Sequence, residues 1–127
     1  MSPSRAELTE RVVAIVSEAL DRSPAEVTPH ASLVDDLGAE SIDFLDIGFR
    51  IESAFELQIP DDEIWRGAFG TKDPGPDDID AAVRRLRERM PEFRWDRFPK
   101  GVSKMDLPRL ITVGTILDYL EQRLATA

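Results

Sequence analysis

Apolar residues recur at helical spacing in several separate stretches of this chain. Leu8, Val12, Ile15, Val16 and Ala19 fall at three- and four-residue intervals, which lines one face of a helix and predicts a first helix over about residues 5–20. Ser23-Pro24 breaks the pattern, and Thr28-Pro29 continues a long loop in which Leu33 and Leu37 are placed to fasten it to the helices. The spacing resumes with Phe44, Ile47, Ile51 and Phe55, flanked by a stripe of Leu45 and Phe49, and predicts a second helix starting near Ser41. Glu40 and Asp43 suit the positive end of that helix. Ile59-Pro60 closes the connection, Asp61-Asp62-Glu63-Ile64-Trp65 predicts a short third helix, and a last helix begins near Thr112 with Val113, Ile116, Leu117, Leu120 and Leu124 inward.

A break rich in Gly and Pro, from Gly67 to Pro76, separates the third helix from an insertion. There Asp77 or Asp78 is placed to cap a helix reaching Met90, with Ile79, Val83, Leu86 and Met90 on one face and Pro91 as its stop. Phe93, Trp95 and Phe98 then alternate with Arg94, Asp96 and Arg97, the period of an extended segment with one apolar face. Pro99, Gly101 and Pro108 predict that this segment stays irregular. The expected fold is all-α: a four-helix bundle from residues 1–65 and 110–127, with a partly helical insertion lobe, 66–109. Burying an aromatic side chain contributes roughly 1.5–3 kcal/mol, so Trp95 and Phe98 are expected to dock the lobe on the bundle.

The 127 residues suffice for one small domain, and 42% hydrophobic residues give it a core. The absence of cysteine excludes disulfides, thiolate metal sites and Cys nucleophiles, and fits a reducing compartment. No apolar run approaches the roughly 20 residues of a membrane span, and charged residues bracket single apolar positions at the N-terminus, unlike a signal peptide. A soluble, cytoplasmic, monomeric protein is expected. The net charge is −9, yet residues 66–108 hold ten Lys/Arg against eight Asp/Glu while the remainder holds six against seventeen. Such an acidic body disfavours nucleic acid and suits partners with basic docking surfaces. The insertion's arginines and aromatics match no nucleic-acid motif.

Candidate chemistry concentrates in Asp35-Asp36-Leu37-Gly38-Ala39-Glu40-Ser41-Ile42-Asp43-Phe44-Leu45-Asp46. A Gly-containing turn delivers a serine to the first turn of an acidic helix, where open N–H groups and the helix dipole favour a phosphate. The only histidine is His30, read as a loop residue, so Ser41 lacks a base of its own and reads as an attachment point rather than a nucleophile. The plainer alternative is that Ser41 caps its helix. Neither Asp35-Asp36 nor Asp61-Asp62-Glu63 has the Gly-centred spacing of a calcium loop, and no metal site is expected.

Leu37-Gly38-x-x-Ser41-Ile42-Asp43, Phe55-x-x-x-Ile59-Pro60-Asp61, and Thr112-Val113 opening Ile116-Leu117-Asp118-Tyr119-Leu120 resemble the acyl carrier proteins over residues 5–65 and 110–124. The resemblance implies that Ser41 carries a 4′-phosphopantetheine arm, installed from coenzyme A by a phosphopantetheinyl transferase. The arm's thiol would hold a fatty acyl group as a thioester for synthases, modifying enzymes and acyltransferases of lipid biosynthesis, without catalysis by the carrier itself. Ser41-Ile42-Asp43-Phe44-Leu45-Asp46-Ile47 and Ile59-Pro60…Trp65 look most like specialised carriers of very long chains for lipid A, although the insertion is longer than theirs.

The same resemblance makes the second helix a docking surface, here Glu40, Ile42, Asp43, Leu45, Asp46, Phe49 and Glu52. Glu40 stands where the family has aspartate, and Arg50 departs from its acidic or neutral character. The implied acyl cavity is lined by Phe44, Ile47, Gly48, Ile51, Phe55, Ile59, Leu110 and Ile116, with the insertion over its mouth or extending its wall. Glycine within a helix costs about 1 kcal/mol relative to alanine; close packing is the commoner reason for one, and room for a bulky chain is the other. A peptidyl or aminoacyl carrier and an unmodified interaction module of the same fold are the alternatives. A hydrolase lacks any nucleophile–base pair.

Overall fold

Ser4 sets the start of the first helix, α1 (Arg5–Leu20). Its Oγ accepts the Glu7 N–H at 3.2 Å, and the Glu7 carboxylate accepts the Ser4 N–H at 3.4 Å, so two otherwise orphaned amides are satisfied reciprocally. Leu8, Val12 and Val16 are buried while Ile15 and Ala19 are half-buried, so the predicted apolar stripe is the core face. Asp21, left-handed at φ 53°, ends the helix.

The computed structural model describes residues 3–60, 63–64 and 73–125. Further helices are α2 (Ser41–Phe55), α3 (Pro76–Arg89) and α4 (Val113–Ala125), with 3-10 turns at Pro24–Glu26, Trp95–Arg97 and Lys104–Leu110. The described chain is all-α, with α1 packed on both α2 and α4. Of the predicted short third helix, Glu63 and Ile64 are helical, whereas Asp61, Asp62 and Trp65 lie outside the described residues, as does the Gly/Pro break through residue 72.

The long loop is fixed to the start of α4. Leu33 donates its N–H to Ile111 O at 3.0 Å, and Gly114 donates to Pro29 O at 2.7 Å. Val27, Ala31, Leu33, Leu37 and Ala39 of this loop are buried. Its backbone polar groups are thereby satisfied away from water.

In the insertion, α3 begins two residues earlier than a cap at Asp77 predicts and three earlier than one at Asp78. Gly75 is the cap residue, Pro76 takes the first helical position, where its missing N–H costs nothing, and Asp78 accepts the Gly75 N–H at 2.9 Å. Ile79 and Ala82 are buried, and Val83, Leu86 and Met90 are half-buried along the predicted face. The aromatic run departs from the expected extended form. Phe98 donates its N–H to Trp95 O at 3.1 Å, closing a turn that gathers Phe93, Trp95 and Phe98 into one cluster. An extended segment needs a neighbouring strand for its backbone, and none lies among the described residues. The expected irregular stretch instead contains the 3-10 helix Lys104–Leu110, whose start is fixed by the Ser103 N–H on Asp106 Oδ2 at 2.9 Å.

Candidate functional site

Gly38 turns the chain into α2 with φ 73°, a conformation that glycine adopts without strain. Buried Leu37 and Ala39 anchor either side of the turn, and Arg22 Nε donates to Leu37 O at 3.2 Å. Ser41 follows as the first helical residue and is exposed. Glu40, not Ser41, occupies the capping position: its N–H donates to Asp43 Oδ2 at 2.8 Å, while its carboxylate makes no capping bond. The Ser41 hydroxyl has no hydrogen-bond partner among the described residues. The capping alternative for Ser41 is thereby replaced. The serine oxygen stands free at the positive end of a helix, where a phosphate is favoured.

Beside Ser41 opens a cleft of about 470 Å³ between α2, residues 58–60 with Ile64, and the start of α4. Phe44, Ile47, Gly48, Ile51, Ile59 and Ile116 line it, together with Leu33, Gln58, Pro60, Ile64 and Ile111, which periodicity alone did not single out. Leu45, Phe49 and Glu52 edge it. Two residues assigned to a cavity by resemblance lie elsewhere. Phe55 lies under the Arg11 guanidinium, 4.1 Å from the ring centre, and Leu110 is fully buried in the core. A methyl group built on Gly48 would meet nothing within 4 Å, so this glycine leaves open space and is not required by close packing. No described residue of the insertion lines the cleft. Among its described residues, the lobe is tied to the loop and α4 rather than placed over the cleft's mouth or in its wall.

The cleft's outer wall is held from two sides. Glu52 Oε2 accepts the Ile59 N–H at 2.7 Å, and Glu63 Oε2 accepts from Tyr119 Oη at 2.5 Å and Arg123 Nη1 at 2.7 Å. Burial, reinforced by the Glu63 carboxylate, pushes the Tyr119 phenol up to about 12, against the opposing pull of Arg123.

Along the exposed face of α2, Ile42, Leu45 and Phe49 are 70%, 60% and 66% exposed. The carboxylates among them are largely engaged. Asp43 holds the Glu40 N–H, Glu52 holds the Ile59 N–H, and Asp46 pairs with Arg50 at 3.1 Å. Arg50 also reaches Glu18 of α1 at 3.6 Å, which accounts for a basic residue on this acidic helix. Asp35 and Asp36 are held by Arg97 and Arg109, so their carboxylates are ion-paired rather than poised for a cation. No cluster of potential metal ligands occurs among the described residues. His30 is exposed in its loop, and no described helix is long and apolar enough to cross a membrane.

A family model described as a phosphopantetheine attachment site matches residues 10–68. An acyl carrier protein of Caulobacter vibrioides (strain NA1000 / CB15N) is 46% identical over 56 residues, covering 44% of this chain and 72% of that protein. One of Phenylobacterium zucineum (strain HLK1) is likewise 46% identical over 56 residues, covering 44% of this chain and 71% of that protein.

Proposed function

The chain belongs to the acyl carrier protein family, and from that premise we propose that Ser41 is its attachment point and the adjoining cleft its acyl shelter. Members of this family are carriers without catalytic activity of their own. Their cofactor is a covalently attached 4′-phosphopantetheine, and their partners include a phosphopantetheinyl transferase.

The residues present fit that group. An exposed, unpartnered hydroxyl at a helix start leaves room for a phosphodiester, and the helix dipole favours its charge. When bound, the arm supplies the thiol that holds an acyl group as a thioester. The observation carrying the reading is that Ser41 and the apolar cleft share one border. Ile47, Ile51, Ile59, Ile64, Ile111 and Ile116 offer an aliphatic chain apolar contact and offer a polar aminoacyl group no side-chain partner. That composition favours a fatty acyl cargo over an aminoacyl one. Open space over Gly48 supports a long or bulky chain, as in the specialised lipid A type of carrier. Partners would be synthases, modifying enzymes and acyltransferases, meeting α2 at Ile42, Leu45 and Phe49 around the basic–acidic pair of Arg50 and Asp46. Glu40, Asp43 and Glu52 add negative potential to that face.

Incubation with coenzyme A and a broad-specificity transferase, read by intact mass, tests the assignment. Wild type gains one arm and Ser41→Ala gains none. An arm on the Ser41→Ala protein would move the site elsewhere.

A further inference from the structure

The insertion reaches the serine-bearing loop through two arginines. Arg97, in the 3-10 turn of the aromatic cluster, places Nη1 3.2 Å from Asp35 Oδ2 and Nη2 2.6 Å from Asp36 Oδ1. Arg109, in the following 3-10 helix, sets Nε 3.0 Å and 2.9 Å from the two oxygens of Asp35. These are shielded contacts, since the Arg97 and Asp35 side chains are 16% and 15% exposed. Each arginine is also braced. Arg109 lies 4.3 Å over the Phe98 ring and pairs with Asp106 at 3.2 Å, and Arg97 lies 5.8 Å from the centre of the Phe93 ring. Phe93 and Phe98 are themselves buried.

The acidic pair in turn shapes the loop leading to Ser41. Asp36 Oδ2 accepts the Ser32 N–H at 2.8 Å, and Ser32 Oγ accepts the Asp35 N–H at 3.1 Å while donating to Arg109 O at 2.7 Å. From there the chain passes through buried Leu37 and the Gly38 turn to Ala39, whose N–H donates to Leu33 O at 2.7 Å, and then to Glu40 and Ser41. Asp35 and Asp36 are therefore fixed from the insertion, at the base of the loop that ends in the serine. Charge-assisted, forked contacts of this kind define geometry as well as energy.

We propose that the insertion is a clamp on the serine loop, with Arg97 and Arg109 as positioning residues that present Ser41 in one conformation to the enzyme that modifies it. The proposal rests on Ser41 being the attachment point. Neither arginine touches the reacting hydroxyl. Loosening the clamp lowers the fraction of molecules whose loop is competent, which raises the apparent KM for the carrier and leaves the turnover of bound carrier unchanged.

Amide exchange and transferase kinetics on the full chain test this with Arg97→Gln. The expected result is faster exchange at residues 33–40, by about tenfold or more given the strength of charge-assisted hydrogen bonds, with α1 unchanged. The KM for carrier in coenzyme A-dependent modification rises by a similar factor at constant kcat. Arg97→Lys, which keeps the charge and loses the fork, falls between the two, and carries the test if Arg97→Gln does not fold. Unchanged loop exchange, or faster exchange with an unchanged KM, overturns the clamp as a positioning device. Failure of the wild type to accept an arm from coenzyme A would instead overturn the attachment reading, while amide exchange would still report whether the loop is clamped.

Discussion

Ser41 and Gly48 border the same cleft from one helix, about two turns apart, the first at its mouth and the second over open space. The arrangement makes Gly48 a test of whether cargo enters the cleft. Gly48→Leu would fill that space while gaining close to 1 kcal/mol of helix propensity. The expected result is an unchanged or raised Tm together with faster hydrolysis of a long-chain acyl thioester, because the chain is displaced into water. Equal hydrolysis rates in wild type and variant would show that the chain lies elsewhere.

Phe49 and Leu45 are the cleanest probes of partner docking, because they are exposed and hold up no backbone. Phe49→Ala should weaken acyltransferase or synthase binding by about 1–2 kcal/mol, as for an aromatic contact at an interface, with a stability change within about 0.5 kcal/mol. Asp43 is a poor probe, since its carboxylate closes the start of α2. Asp46→Asn should weaken the salt dependence of association, because it removes one negative charge from the face and leaves the Arg50 charge without this partner. Association rates measured across ionic strength check both expectations, and a full affinity in Phe49→Ala would remove the apolar stripe from the interface.

The elements that were legible in the sequence are those whose signal is local. The Leu8–Val12–Val16 stripe defined α1, and the turn at Gly38 placed Ser41 at the start of α2. The aromatic run Phe93–Phe98 misled because alternation over so few residues is shared by a strand and by a compact turn, and only the backbone bond from Phe98 to Trp95 separates them. The cleft needed the placement of residues 58–60 and Ile64 against α2. The partners of Asp35 and Asp36 were illegible because Arg97 and Arg109 lie far along the chain, and ion pairing between remote segments leaves no periodic trace.

Gly114 reports on how tightly the long loop is seated on α4. A methyl group there would meet Pro29 O at 2.9 Å, too close for a backbone atom that is itself hydrogen-bonded to the Gly114 N–H. Overpacking of this kind costs typically about 1–3 kcal/mol. Gly114→Ala should therefore lower the urea midpoint with little change in m-value, and an unaltered midpoint would show that the loop can yield.

Burial of the Tyr119 phenol, reinforced by its bond to Glu63, gives stability a dependence on alkaline pH. The phenol's pKa is raised from 10.0 to about 12 in the folded chain, so between these values the folded state keeps a proton that the unfolded state has lost. This contribution is complete below pH 10 and disappears as pH rises towards 12, with a slope of at most about 1.4 kcal/mol per pH unit. Tyr119→Phe removes the titrating group, and the lysines, common to both proteins, drop out of the comparison. Urea unfolding from pH 9 to 12 should show wild type losing stability more steeply than Tyr119→Phe. Loss of the hydroxyl also frees one of the bonds that hold Glu63, and with it the Ile64 wall of the cleft. Faster amide exchange at Ile64 in the variant at neutral pH would accompany the flatter alkaline profile. Parallel profiles for the two proteins would show that the phenol titrates alike in the folded and unfolded states.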